Sequence, residues 1–455
     1  MNYWYVGIGL LIFFVFAMIG SHFADEPEYG LKETREGKIK DNYKKIIKEK
    51  DFKKIDITKD IVGISYSTKQ YKKITDKMLN EMLFALGTTG AGKTVFFRNL
   101  YTRNIVLKKA TIIVDGKPDP KNINFLKRVA EQYGVPFYGF NCENNLTYDF
   151  LNNGTATEIK DKIIGLKNEQ DWSNDYYKTQ AEAYLQTSIE VLKKIKGSIT
   201  LDDVIDSFDY EYLVSLLPDD LDDKTKKRLS RIKDTELKDL KGIQNQLTLL
   251  ANSDMGDFLS SGEGEQFTLL EAIENGGFVY FALPALKYPS FAKVLGKVVV
   301  NDLKTALYDK KQDTPVFAFF DEFGVFAGEQ VLNLVNQGRG LGLYSAFGTQ
   351  SIADLSRSAG QDFLETFMGN INTLVIMRVN DNKTTDYLTD WVGSYEDREY
   401  QAHLNDSQTG SVKISDKFWI KHKDIQTLNT GDAFIVSKVY GFECDKIKIN
   451  YIDIK

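Results

Sequence analysis

The sequence predicts an α/β protein with a mostly parallel sheet, a helical middle segment and an apolar N-terminal span. Three features of the 455-residue chain carry this prediction: a glycine-rich loop between a strand and a helix, several short apolar runs that end in turn residues, and a helix-periodic stretch from about Gly165 to Glu265. Continuous apolar runs of this length are strands buried on both faces, as parallel strands are. Strands of this kind that alternate with helical segments make a sheet covered by helices on both faces. A composition of 42% hydrophobic and 27% charged residues, with only 8 prolines, is globular rather than disordered.

From Met1 to Ala24 there is no Asp, Glu, Lys or Arg. An uncharged apolar run of about 20 residues crosses a bilayer, so residues 1–24 are expected to form a transmembrane anchor. Tyr3, Trp4 and Tyr5 fit an interfacial aromatic belt, and Lys32, Arg35, Lys38, Lys40, Lys44 and Lys45 follow the span. That asymmetry predicts a single pass through the inner (cytoplasmic) membrane with the C-terminal bulk in the cytoplasm. Residues 25–80 are rich in mixed charge and read as a juxtamembrane tether leading into the folded core, with stretches such as DIVGISYST forming strands.

The segment EMLFALGTTGAGKTVFFRNLY gives an apolar strand, Met82 to Leu86, then the loop Gly87, Thr88, Thr89, Gly90, Ala91, Gly92, Lys93, Thr94, then a helical pattern. This is GxxxxGK(S/T) in the strand-loop-helix setting the motif requires. Glycines let backbone N–H groups close around phosphates at a helix N-terminus, whose partial positive charge favours anions. Lys93 is expected to reach the β- and γ-phosphates and Thr94 to ligate magnesium, which makes ATP with Mg2+ the expected ligand.

Further along, IIVDGKPDP is a strand ending in Asp115 and Lys117, which lie close to the nucleotide or to a neighbouring subunit, or else form a structural turn with Pro118 and Pro120. The middle stretch YYKTQAEAYLQTSIEVLKKI carries apolar residues at helix spacing. The charged run DDLDDKTKKRLSRIKDTELKDLK reads as a solvated helix face. FVYFALP is the next strand, followed by the helix SFAKVLGKVVVNDLKTALY.

In TPVFAFFDEFGVFAG an apolar run from Val316 to Phe320 ends in Asp321 and Glu322. Two carboxylates at the end of a buried strand are costly unless they are used. Asp321 is assigned to the magnesium shell and Glu322 to polarising the attacking water, which implies hydrolysis. NQGRGLGLYSAFGTQ then places Gln350 at the end of the following strand, beside the acidic pair, as a γ-phosphate sensor. Arg339 falls at the opposite end of that strand, too far for its own site, and reads as an arginine finger supplied to a neighbouring subunit.

Cys142 and Cys444 have no CxxC spacing, and His22, His403 and His422 have no metal-ligand spacing, so neither a disulfide framework nor a zinc site is indicated. The net charge of −6 leaves no global basic footprint, so any nucleic-acid contact must come from a local patch.

Taken in order, GTTGAGKT, IIVDGKPDP, FLSSGEGEQFTLLEAIENGGFVYFALPAL, FFDEFGVFAG, NQGRGLGLYSAFGTQSIADL and GNINTLVIMRVND resemble the TraG/TraD-like type IV coupling proteins of bacterial conjugation, within the HerA and FtsK superfamily of motor ATPases. The resemblance spans roughly Glu81 to Phe442, and one membrane span is evident where many members have two. It implies a RecA-like P-loop ATPase domain in two parts, 81–164 and 266–455, with an all-α domain inserted at 165–265. It also implies a membrane-anchored hexameric ring that binds DNA as a single strand and delivers the relaxase-DNA complex to a type IV secretion channel. Lys93, Thr94, Asp321, Glu322, Arg339 and Gln350 match the family's functional positions. A related ring that moves protein or double-stranded DNA outside conjugation, and a nucleotide-dependent membrane scaffold, are the alternative readings.

Overall fold

The computed structural model describes residues 52, 55–142, 146–168, 171–219, 221–235, 240–311, 313–402 and 410–452. The expected span at 1–24 lies outside these residues; among the described ones, no helix is long and apolar enough to cross a membrane. The described residues divide into two units: a larger one that runs to Tyr387 and resumes at His422, and a smaller one from Leu388 to Lys421.

The larger unit is built on an 11-stranded sheet. In chain order its elements begin with β1 (Ile61–Ser65), β2 (Tyr71–Lys73), α1 (Asp76–Asn80), β3 (Leu83–Leu86), α2 (Lys93–Val106), β4 (Thr111–Asp115), α3 (Pro120–Tyr133) and β5 (Phe137–Phe140). After the short β6 (Thr147–Tyr148) come the helices α4 (Ala156–Ile164), α5 (Asp175–Lys196), α6 (Leu201–Asp206), α7 (Tyr210–Ser215), α8 (Asp223–Ile232) and α9 (Leu240–Ala251). The chain returns through β7 (Gln266–Phe267), α10 (Leu269–Glu274), β8 (Phe278–Ala282), α11 (Pro289–Asp309), β9 (Val316–Asp321), α12 (Glu329–Gly338) and β10 (Leu343–Thr349). It continues with α13 (Ile352–Ala359), α14 (Gln361–Asn370), β11 (Thr373–Ile376) and the start of α15 (Asn382–Val392), whose residues from Leu388 belong to the second unit. The second unit contributes the strands β12 (Ser394–Ala402) and β13 (Gly410–Phe418), paired antiparallel, before α16 (His422–Gln426), β14 (Asp432–Ser437) and β15 (Glu443–Ile449) complete the first.

The strand order is β2-β1-β15-β14-β11-β3-β10-β9-β4-β8-β5. From β11 to β5 every neighbouring pair is parallel, and β14, β15, β1 and β2 extend this core antiparallel. The mostly parallel α/β reading of the sequence therefore holds. The parallel strands carry runs such as VFAFF and FVYFA because both of their faces are covered, and β9 is buried along its whole length. Alternate residues serve opposite faces. Leu83, Ala85, Phe317 and Phe319 join a core with Phe96, Phe97 and Leu100 of α2 and Leu126 and Val129 of α3. Phe84 and Phe347, on the other face, pack against Phe367 of α14.

Residues between 61 and 80, in the segment read as a tether, supply β1, β2 and α1. β1 pairs antiparallel with β15, so the predicted DIVGISYST strand joins the sheet of the folded core.

Candidate functional site

Strand β3 delivers the glycine loop at the carboxyl edge of the sheet, between β10 and β11. The loop is pinned at its start: Met377 N donates to Leu86 O at 2.8 Å and Gly87 N to Thr349 O at 3.3 Å. A Cβ on Gly87 would stand 2.8 Å from the Cβ of Met377, so no larger residue fits. Thr88 donates its backbone N–H and its hydroxyl to the Arg378 carbonyl, at 2.9 and 3.1 Å. Gly92 takes φ 121°, a left-handed value that favours glycine, and as N-cap of α2 it offers no capping side chain. The first N–H groups of α2 are therefore left to an anion, at the positive end of a 14-residue helix.

At the adjacent strand ends, Asp321 closes β9 and is buried. Glu322 follows at φ 51°, ψ 41°, a left-handed conformation that costs a non-glycine residue about 1 kcal/mol or more. That turn aims its carboxylate at two sequence-predicted partners. Gln350 Nε2 donates to Glu322 Oε1 at 2.5 Å, and Lys93 Nζ lies 3.9 Å from Oε2. Lys93 also donates to the Gly87 carbonyl at 2.7 Å, and Thr89 donates its hydroxyl to Gln350 Oε1 at 3.4 Å. Lys93, Thr89, Glu322 and Gln350 thus form one connected set over the loop.

A second buried carboxylate stands next to the first, because Asp115 of β4 pairs in register with Asp321. Tyr280 donates its hydroxyl to Asp115 Oδ2 at 2.5 Å, and the Lys117 N–H donates to Oδ1 at 2.8 Å. Burial, and next the Asp321 charge, push Asp115 up to about 7. Burial likewise raises Asp321, to about 6, against the opposing charge of Lys93. Two carboxylates that repel in a low-dielectric pocket retain a proton or take up a cation. Asp321 and the hydroxyl of Thr94, in the first turn of α2, make a hard all-oxygen donor set that fits Mg2+ when phosphate and water complete the shell. Among the described residues, no group of three or more His, Cys, Asp or Glu could hold a metal.

Arg339 is held apart from this set. It follows α12 at the start of β10, 58% exposed, with its Nη2 3.2 Å from Glu81 Oε1. β9 and β10 pair in register from Val316 and Leu343, so the start of β10, which Arg339 precedes, lies about 17 Å along the strands from Asp321 at ~3.3 Å per residue. Of its flanking glycines, Gly338 packs closely within the chain, since a Cβ there would meet Leu343 Cδ2 at 2.7 Å and that side chain would have to shift; Gly340 faces open space. The sequence reading left Asp115 and Lys117 between a ligand contact and a turn, and the structure brings both to the loop, where Lys117 Nζ lies 3.2 Å from Thr89 Oγ1. Tyr280 and the Arg378 carbonyl were not anticipated. The one signal for Tyr280 is a hydroxyl in an otherwise apolar strand.

The fold is that of a P-loop protein of RecA-like build. Residues 315–429 match the family described as the TraM recognition site of TraD and TraG. The structure is similar to the bacterial conjugative coupling protein TrwBdeltaN70, with a TM-score of 0.62 at 15% identity over 92% of each chain. It is similar to TrwB in complex with ADP and Mg2+, with a TM-score of 0.60 at 14% identity over 92% of this chain and 93% of that one. It also resembles VirB4 of Thermoanaerobacter pseudethanolicus, with a TM-score of 0.55 at 13% identity over 88% and 98%. No curated protein sequence matches the chain. The resemblance to the type IV coupling proteins thus rests on a family match inside the chain and on the fold of the whole described part.

Proposed function

We propose that this chain is the ATP-hydrolysing motor of a conjugation system, anchored in the membrane and assembled as a hexameric ring. It binds DNA and passes the relaxase-DNA complex to a type IV secretion channel. The observation that carries the ATPase assignment is the meeting of Lys93, Glu322 and Gln350 over an uncapped helix N-terminus. The loop N–H groups and Lys93 hold the phosphates. Thr94 and Asp321 would hold Mg2+, which supplies charge neutralisation on the β- and γ-phosphates. Gln350 orients a water, and Glu322 takes its proton as the water oxygen bonds to the γ-phosphorus and the β–γ bridging oxygen leaves on ADP. Arg339 reaches the site of the adjoining subunit, where a finger contributes about 10³- to 10⁵-fold in rate.

TrwB complexes with ADP and Mg2+ and with the analogues ADPNP and GDPNP support nucleotide binding in this fold. The family match over 315–429 supports a relaxosome partner. The net charge of −6 favours a second reading, in which the ring moves protein instead of DNA.

The test is the ATPase rate of the purified full chain with and without single-stranded DNA, with Lys93→Ala as the blank. The expected result is a Lys93-dependent rate that DNA raises. A healthy rate indifferent to any DNA favours protein cargo. For the in-trans finger, Arg339→Ala subunits mixed with Lys93→Ala subunits should regain activity above that of either alone.

A further inference from the structure

The segment Asp115-Gly116-Lys117 is built into the site more firmly than a connecting turn requires. Asp115 is clamped by Tyr280 and accepts the Lys117 N–H. Gly116 N donates to the Asp321 carbonyl at 3.0 Å, and a Cβ on Gly116 would lie 3.1 Å from Glu322 O, so this backbone rests directly on the acidic turn. The consequence falls on Lys117, whose Nζ is brought within 3.2 Å of Thr89 Oγ1. Thr89 in turn bonds Gln350, the partner of Glu322. Lys117 therefore approaches the loop on the side where the attacking water is activated, while Lys93 approaches from the helix end.

Charge argues the same way. Three carboxylates, Asp115, Asp321 and Glu322, meet at this edge before a polyphosphate adds its own negative charge, and Arg339 lies at the far end of β10. An ammonium has three donors, so Lys117 can keep Thr89 while it bonds a phosphate oxygen.

We propose that Lys117 is a catalytic residue acting within its own subunit, its ammonium contacting the terminal phosphate of bound ATP and stabilising the charge that develops there. This inference rests on the ATPase reading above. It makes part of the transition-state charge independent of ring assembly, with Arg339 adding the part that depends on a neighbour.

The experiment compares full-length wild type, Lys117→Met and Lys117→Arg for kcat, for KM, and for affinity towards ADP and a non-hydrolysable ATP analogue. Lys117→Met is expected to lower kcat on the order of 10²-fold, as removal of one preorganised donor does. It should weaken the triphosphate analogue selectively while ADP affinity stays within about twofold, and Lys117→Arg should recover part of the rate. An unchanged kcat, or equal loss of ADP and analogue binding, overturns the assignment. If the wild type binds but hydrolyses too slowly to measure, loss of the preference for the triphosphate decides. If the wild type binds no nucleotide, or hydrolyses it independently of Lys93, the ATPase reading itself fails and this inference with it. A Lys93-dependent wild type with an unimpaired Lys117→Met sinks the Lys117 role alone.

Discussion

Two buried carboxylate clusters sit in the same unit and are resolved in opposite ways. Asp302 of α11 is fully buried and receives Lys162 Nζ at 2.6 Å, the Tyr148 hydroxyl at 2.7 Å and Asn153 Nδ2 at 3.2 Å. Lys162 is itself buried and also donates to the carbonyls of Phe150 and Asn153. Every charge there has its complement, and the network ties α4 to α11. Asp115 and Asp321, at the ends of β4 and β9, instead stand in register; burial raises both, the Asp321 charge adds to the rise of Asp115, and the Glu322 charge adds to that of Asp321 against the opposing charge of Lys93. The difference separates burial that ties elements together from burial that leaves like charges side by side. A matched pair holds elements in place, whereas like charges brought together at a sheet edge cost stability and mark a candidate functional site.

Breaking the matched cluster should have the larger effect. Lys162→Met strands the Asp302 charge and is expected to cost about 3–5 kcal/mol in denaturant unfolding, while Lys162→Met with Asp302→Leu should recover most of it. A cost below about 1 kcal/mol for the single variant would mean that Asp302 is not ionised, and the contrast would disappear. Asp321→Asn should act in the other direction and stabilise the protein by about 1–3 kcal/mol at pH 8 in EDTA. The sign follows from folded-state values of about 6 and 7 for Asp321 and Asp115, above the unfolded carboxylate range. Folding is therefore unpenalised below about pH 4, and the penalty grows as pH rises through those values. The gain from Asp321→Asn should thus be absent at pH 4 and full at pH 8, and a gain that does not vary with pH would remove electrostatics as its cause. The smallest effect is that of Tyr148→Phe, which removes one of three donors to Asp302 and should cost about 1 kcal/mol, since Lys162 and Asn153 remain.

Much of the site was legible in the residues because its parts are local. The loop from Gly87 to Thr94 needs only its own glycine spacing and the helix that follows, and the run Val316–Phe320 announces a buried strand that ends in acid. The positions of Gln350 near the site and Arg339 away from it followed from the rule that parallel strands share an edge. What could not be read involves segments that meet only when folded. Asp115 lies more than 200 residues from Asp321 in the chain, yet their register makes them neighbours. Gly338 and Gly340 look alike in sequence, but only the first packs against a neighbouring side chain, that of Leu343.

By itself the sequence determined the class of fold and the chemical content of the site, because strand and helix periodicity and phosphate-loop geometry are properties of contiguous residues. Tertiary structure alone decided how the charges are distributed. It set the strand order that puts Asp115 beside Asp321, the left-handed turn that swings Glu322 toward Gln350 and Lys93, the ion pair of Arg339 with Glu81, and the approach of Lys117 to Thr89. Each of these depends on the relative register of distant strands. Register is chosen by the packing of both sheet faces as a whole, a sum over many contacts that no short stretch of chain contains.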